Sequence, residues 1–142
     1  MPWHYNNKLR SSEEVASNPS ILLKLSELAV ASAEAETKWQ LAYQLGSLSN
    51  QKEQAEAILL HFVTDADEYV SRRALLALGV LESSQAEKLA VRAWDTGYEY
   101  QRIATLSVLR DTESAKLAEY VTKALKDGRE YLVQNAHEVE GT

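Results

Sequence analysis

The chain has 142 residues, of which 45% are hydrophobic and 25% charged, enough apolar material for one domain with a core of its own. A net charge of −6 and an isoelectric point near 5.1 argue against a nucleic-acid binder, which needs a basic face to displace counterions, and suit a partner protein with a basic surface. The absence of cysteine excludes disulfides, thiolate metal sites and thiol nucleophiles.

Taken in order, residues 1 to 10 read as an extended arm, whose Trp3 and Tyr5 are expected to cover the end of the first helices, with His4 between them. The stretch MPWHYNNKLRSSEE lacks the apolar core of a signal peptide. No run reaches the roughly 20 apolar residues of a membrane span. A cytoplasmic location without membrane contact is therefore expected. Ser11 with Glu14 has capping-box spacing. Asn18 followed by Pro19 starts a helix to about Ala31, with Ile21, Leu22, Leu25, Leu28 and Ala29 as its apolar side. This helix reads as an N-terminal cap. The next runs from Ala33 to Leu48, with Trp39, Ala42, Leu45, Gly46 and Leu48 on or near the buried side. Gly46 sits inside it, where close approach of a neighbour would offset a cost of up to ~1 kcal/mol.

Six further helices follow. Asn50 and Glu53 open one ending near Val63, and Asp65 and Glu68 open one through Leu81. Ser84 and Glu87 open the helix through Trp94, and Thr96 and Glu99 the one through Arg110. Each start has the S/T/D/N-x-x-E form of a reciprocal cap. The helix after Asp111 and Thr112 reaches about Lys126, with Gly128 as its C′ stop, and Tyr131 to about Val139 closes the chain. With five Gly, two Pro and no period-2 alternation, an all-α fold is the natural reading.

The helices repeat. Asp65, Arg72, Ala74 and Leu78 align with Asp95, Arg102, Ala104 and Val108 under one shift (95 − 65 = 30). A third copy begins at Asp127, with Gln134 in the Arg place and Ala136 in the Ala place, and a weaker one lies upstream at Gln40 and Ala42. The stripe Ala55, Ile58, Leu59, Phe62, Val63 recurs after 31 residues (86 − 55) as Ala86, Leu89, Ala90, Ala93, Trp94. It recurs again as Leu117, Tyr120, Val121, Ala124, Leu125. Each unit is thus a helix, a short turn and a second amphipathic helix, and one hairpin alone cannot bury its stripe. The pattern Asp-x6-Arg-x-Ala-x3-Leu resembles the bacterial HEAT-like repeat, the short form also found in phycobilisome-lyase-type proteins. The resemblance covers roughly Thr37 to Glu140. It implies a right-handed α-solenoid of stacked HEAT-like hairpins, armadillo-like, used mainly for protein binding, and no chemistry. On it, residues 11–142 form a single domain: cap helix 19–31, copies at about 33–63, 65–94 and 95–126, and a half-copy at 127–140.

The Asp and Arg ladder is expected to be structural, each Asp capping its helix and pairing with an Arg of the adjacent unit. His4, His61 and His137 lack the spacing of a metal site. No phosphate loop or nucleophile motif occurs, so neither enzyme activity nor a cofactor is expected. Around the turn Trp94-Asp-Thr-Gly-Tyr98-Glu-Tyr100, Trp94 and Tyr100 are expected in the core and Tyr98 outside as a contact residue. The second-type helices should line a concave binding face with Glu56, Leu60 and His61, then Lys88, Val91 and Arg92, then Lys116, Glu119 and Lys123. Acids at the turns (Glu34, Glu36, Asp65, Asp67, Glu68, Asp95, Glu99) should make a negative edge. The expected role is that of a protein-interaction module, monomeric when free, that binds another protein on its concave face or acidic turn edge. The alternatives are an immunity protein neutralising a basic toxin, an enzyme accessory resembling the phycobilin lyases, or an adaptor in a larger complex.

Overall fold

The computed structural model describes residues 18–32 and 34–141. The arm at 1–10, the Ser11–Glu14 turn and Ala33 lie outside them. Among the described residues there are eight α-helices, one 3-10 turn and no strand. They are α1 (Pro19–Ser32), α2 (Ala35–Leu45), the 3-10 turn (Ser49–Gln51), α3 (Lys52–Phe62), α4 (Glu68–Val80), α5 (Ala86–Trp94), α6 (Glu99–Asp111), α7 (Leu117–Asp127) and α8 (Glu130–Glu140). None is long and apolar enough to cross a membrane. The chain divides into two compact units, residues 1–74 and 75–142, with the division inside α4.

In the first unit α1 packs on α2 and α3, and α2 packs on α3. Asn18 caps α1, its Oδ1 accepting the Ile21 N–H at 3.3 Å. The buried face of α1 is Leu22, Ser26 and Ala29, whereas Ile21, Leu25 and Leu28 are 46%, 40% and 62% exposed. The expected face is therefore turned by one residue, about 100° of helix. Small Ser26 and Ala29 let α1 lie close against its neighbours, and the longer chains are left outside. Helix α2 ends at Leu45, and Gly46 is its buried C-cap (φ −62, ψ −17) rather than an interior residue. The chain then tightens, with Ser47 and Leu48 donating to the Gln44 and Leu45 carbonyls. Because a 3-10 turn leads into α3, the expected Asn50–Glu53 cap does not form. The α3 stripe holds as read, with Ala55, Ile58, Leu59 and Phe62 buried.

In the second unit α6 packs on α5, α7 and α8, and α7 packs on α8. Leu78, Leu106, Val108, Leu109 and Leu132 are all fully buried. Gly79, near the end of α4, meets α6 so closely that a Cβ there would stand 3.0 Å from Val108 Cγ2 and 3.2 Å from Val108 Cα. The close approach expected at Gly46 is thus found at Gly79.

The turns repeat in detail. Glu82 and Glu113 (113 − 82 = 31) both adopt the left-handed region, at φ 55 and φ 52. After each, a serine N–H bonds back to the carbonyl five residues earlier: Ser83 to Leu78 at 3.0 Å and Ser114 to Leu109 at 2.9 Å. Each glutamate also closes the inner bond, to Gly79 and Arg110, which completes two Schellman motifs. Ser83 Oγ then accepts the Gln85 N–H and Ser114 Oγ the Lys116 N–H, both at 3.1 Å, so Ser83 does the work expected of Ser84. Gly128 is left-handed at φ 82, as its C′ place requires.

These turns set the register. The first-type helices start at Glu68, Glu99 and Glu130, 31 residues apart each time (99 − 68, 130 − 99). That agrees with the 31-residue stripes and corrects the 30-residue alignment of the second copy. Thr105, fully buried, stands where Ala74 stands in the first, and Ala104 is its buried neighbour. Asp65, Thr96 and Asp127 likewise share one role, each accepting the N–H two residues on, from Asp67, Tyr98 and Arg129. Asp95 is instead the C-cap of α5. The 30-residue shift matched residue identities, but helix geometry counts from the turns.

Candidate functional site

The ladder residues are bound into the fold. Lys38 on α2 donates to Asp65 at 2.7 Å, and this bond, ahead of other causes, holds the Asp65 carboxyl below its usual range. Asp67, not Asp65, caps α4, accepting the Tyr69 and Val70 N–H groups at 3.0 and 3.1 Å. Arg72 holds Glu68 of its own helix at 2.8 Å. Arg102 lies over the Trp94 ring at 4.6 Å, donates to the Trp94 carbonyl and grips Asp127 ahead of α8. Arg129 joins the same carboxylate with two bonds of 2.8 Å and reaches the Gly97 carbonyl at 2.9 Å. The Arg129 bond foremost, with Arg102 behind it, drives the Asp127 carboxyl far below the usual range. Glu99 accepts the Tyr131 and Leu132 N–H groups at 3.1 and 3.2 Å, capping α8 from α6. The expected acidic edge is therefore largely spent on caps and ion pairs.

The polar residues of the second-type helices divide between the two units. Glu56 is half-buried and His61 exposed in the first, where His61 lines an open groove with Glu27, Val30, Gln54, Ala57 and Ile58. Lys88, Arg92, Lys116, Glu119 and Lys123 are exposed in the second. Lys116 approaches Glu87 at 3.9 Å, and Lys123 pairs with Glu119 at 3.1 Å while lying 4.5 Å over the Tyr120 ring. Tyr98 is 65% exposed, as expected, and Trp94 is buried with its edge against Tyr120 at 5.2 Å. Tyr100, expected in the core, is 51% exposed, and Gln101 takes the buried place. The one-residue change of register accounts for this: Gln101, not Tyr100, is the counterpart of Val70. Among the described residues no group of three His, Asp or Glu is placed to hold a metal ion.

A different cluster stands out in the first unit. Trp39 and Tyr43 lie one turn apart on α2, and Tyr69 and Arg73 one turn apart on α4. Trp39 and Tyr69 meet edge to face at 5.2 Å and 70°. The Arg73 guanidinium carbon lies 5.1 Å from the Tyr69 ring centre, 5.7 Å from Tyr43 and 5.9 Å from Trp39, and Arg73 Nε donates to Tyr69 Oη at 3.0 Å. Arg72 lies over Tyr69 as well, at 4.9 Å. Tyr43 is 65% exposed, and the other members are half-buried. Sequence reasoning placed Trp39 on or near the buried side of its helix, where it lies half-buried, and missed the group. The signal was the two i, i+4 pairs, Trp39–Tyr43 and Tyr69–Arg73, on successive first-type helices. Rigid aromatics around an arginine at the surface are the residue types that dominate binding hot spots. Each ring over the cation adds attraction that orders the group before any partner arrives.

The chain matches no family model, none of the characterised proteins compared with it and no solved structure.

Proposed function

We propose that this chain is a HEAT-like repeat protein: a right-handed α-solenoid of helical hairpins that binds another protein and performs no chemistry. The 31-residue recurrence of helix starts, left-handed turns and serine caps supports the repeat. Within the second unit, the packing of first-type α6 on first-type α8 fits stacked hairpins.

The observation behind the binding role is the surface formed by exposed Tyr43 with half-buried Trp39, Tyr69 and Arg73. It buries large apolar area at low entropy cost when covered, and its arginine is already set among rings. The mixed-charge set Lys88, Arg92, Lys116, Glu119 and Lys123 is a secondary face of the same module. The test is affinity capture from native cells with wild type and Tyr43→Ala, read by mass spectrometry. Tyr43 is exposed, so its loss leaves the fold intact. The expected result is one dominant partner whose recovery drops about tenfold or more in the variant. Equal recovery of every captured protein by the two forms overturns the assignment of this surface.

A further inference from the structure

Arg73 is half-buried, yet it has no carboxylate among the described residues. Four other arginines are matched, Arg72 with Glu68, Arg102 and Arg129 with Asp127, and Arg110 with Asp111, while Arg92 is exposed rather than half-buried. One Arg73 donor, Nε, is taken by the Tyr69 hydroxyl. Its two Nη groups meet no acceptor among the described residues. Trp39, Tyr43 and Tyr69 surround the guanidinium with apolar rings. A guanidinium set among aromatic rings, with no protein acceptor on its fork, suits a planar carboxylate accepting two parallel N–H bonds.

We infer that the Arg73 fork is the receptor for a single Asp or Glu side chain of the partner protein, flanked there by an apolar or aromatic residue that covers Tyr43. This rests on the protein-binding reading above and names the chemistry of that partner. The anchor is one carboxylate rather than an acidic face, because the chain carries a net charge of −6 and Glu68 stands one turn before Arg72 on the same helix. A polyanion is repelled by that charge at long range. An isolated carboxylate on a neutral or basic partner is not, since screening confines its interaction to the Arg73 contact. The same argument weighs against a nucleic-acid strand stacking on these rings.

The test pans a phage-displayed library of linear peptides against the full chain and measures the enriched peptides by fluorescence anisotropy. Wild type, Arg73→Gln, Arg73→Lys and Tyr43→Ala are compared, with circular dichroism confirming that each is folded. A labelled single-stranded oligonucleotide is titrated alongside. The expected peptides share one Asp or Glu next to an apolar residue. They lose about tenfold or more in affinity with Arg73→Gln and with Tyr43→Ala. Arg73→Lys, which keeps the charge but not the fork, lies between, and it decides the matter if Arg73→Gln does not fold. Peptides without an acidic residue that need Tyr43 but bind Arg73→Gln as well as wild type overturn the carboxylate anchor and leave the protein-binding surface standing. Peptides indifferent to both positions overturn both. Arg73-dependent binding of the oligonucleotide, with no acidic peptide enriched, replaces the carboxylate by a phosphate.

Discussion

Asp127 gathers two guanidinium groups onto one carboxylate just ahead of α8, and the side chain is 8% exposed. Its role in stability follows from its titration. The folded-state value lies below the ordinary 3.8, so the group stabilises the fold fully at pH well above 3.8. That contribution is lost as pH falls below 3.8 towards the folded value. Asp127→Asn keeps the shape and removes the charge. Urea unfolding at pH 7 is expected to show a loss of about 2 kcal/mol, the range for hydrogen bonds to a charged group. The gap between wild type and variant should hold from pH 7 to about 5 and shrink below about 4. A gap unchanged at pH 3 would falsify the ionic role. At this scale the sequence was readable where a residue acts through charge beside its own helix, as Asp127 does. It was unreadable where no recurring pattern marks the pair: nothing local to Glu99 announces that it caps Tyr131 and Leu132.

Helix starts and turns decided more than residue identity did. The stripes on α3, α5 and α7 were legible because amphipathic spacing reports burial directly, except that Leu125, at the edge of the α7 stripe, is 39% exposed. The second copy of the ladder was misaligned by one residue because Asp and Arg recur at several surface places, while the turns count 31. The face of α1 was misread for a related reason: Leu25 and Leu28 look like core, but small Ser26 and Ala29 make the closer fit. Gly79 illustrates the same steric logic, with α6 packed against its missing side chain. Gly79→Ala gains up to ~1 kcal/mol of helix propensity in isolation. Here the new methyl meets the Val108 backbone as well as its side chain, and overpacking of this kind costs about 1–3 kcal/mol. A lower thermal midpoint is expected. A rise would mean that α4 and α6 separate freely.

Taken whole, the molecule is all-α, as its composition and its few Gly and Pro led one to expect. Its exposed aromatic–arginine surface was not foreseen, since it depends on two helices lying side by side. Ala42, Ala74 and Ala136 are each fully buried. An unpaired carboxylate there costs several kcal/mol, against a total stability of about 5–15 kcal/mol. Ala74→Asp is therefore expected to abolish the cooperative thermal transition in far-ultraviolet circular dichroism, and a variant melting like wild type would contradict its burial. One further feature bears on the chain as an object with direction. Lys38 secures Asp65 ahead of α4, Arg102 secures Asp127 ahead of α8, and Glu99 closes the first turn of α8. In each of these three bonds an earlier helix finishes a later one of the same unit. Within a unit, loss of the later helix removes only the recipient of such a bond, whereas loss of the earlier one strips the later helix of its fastening.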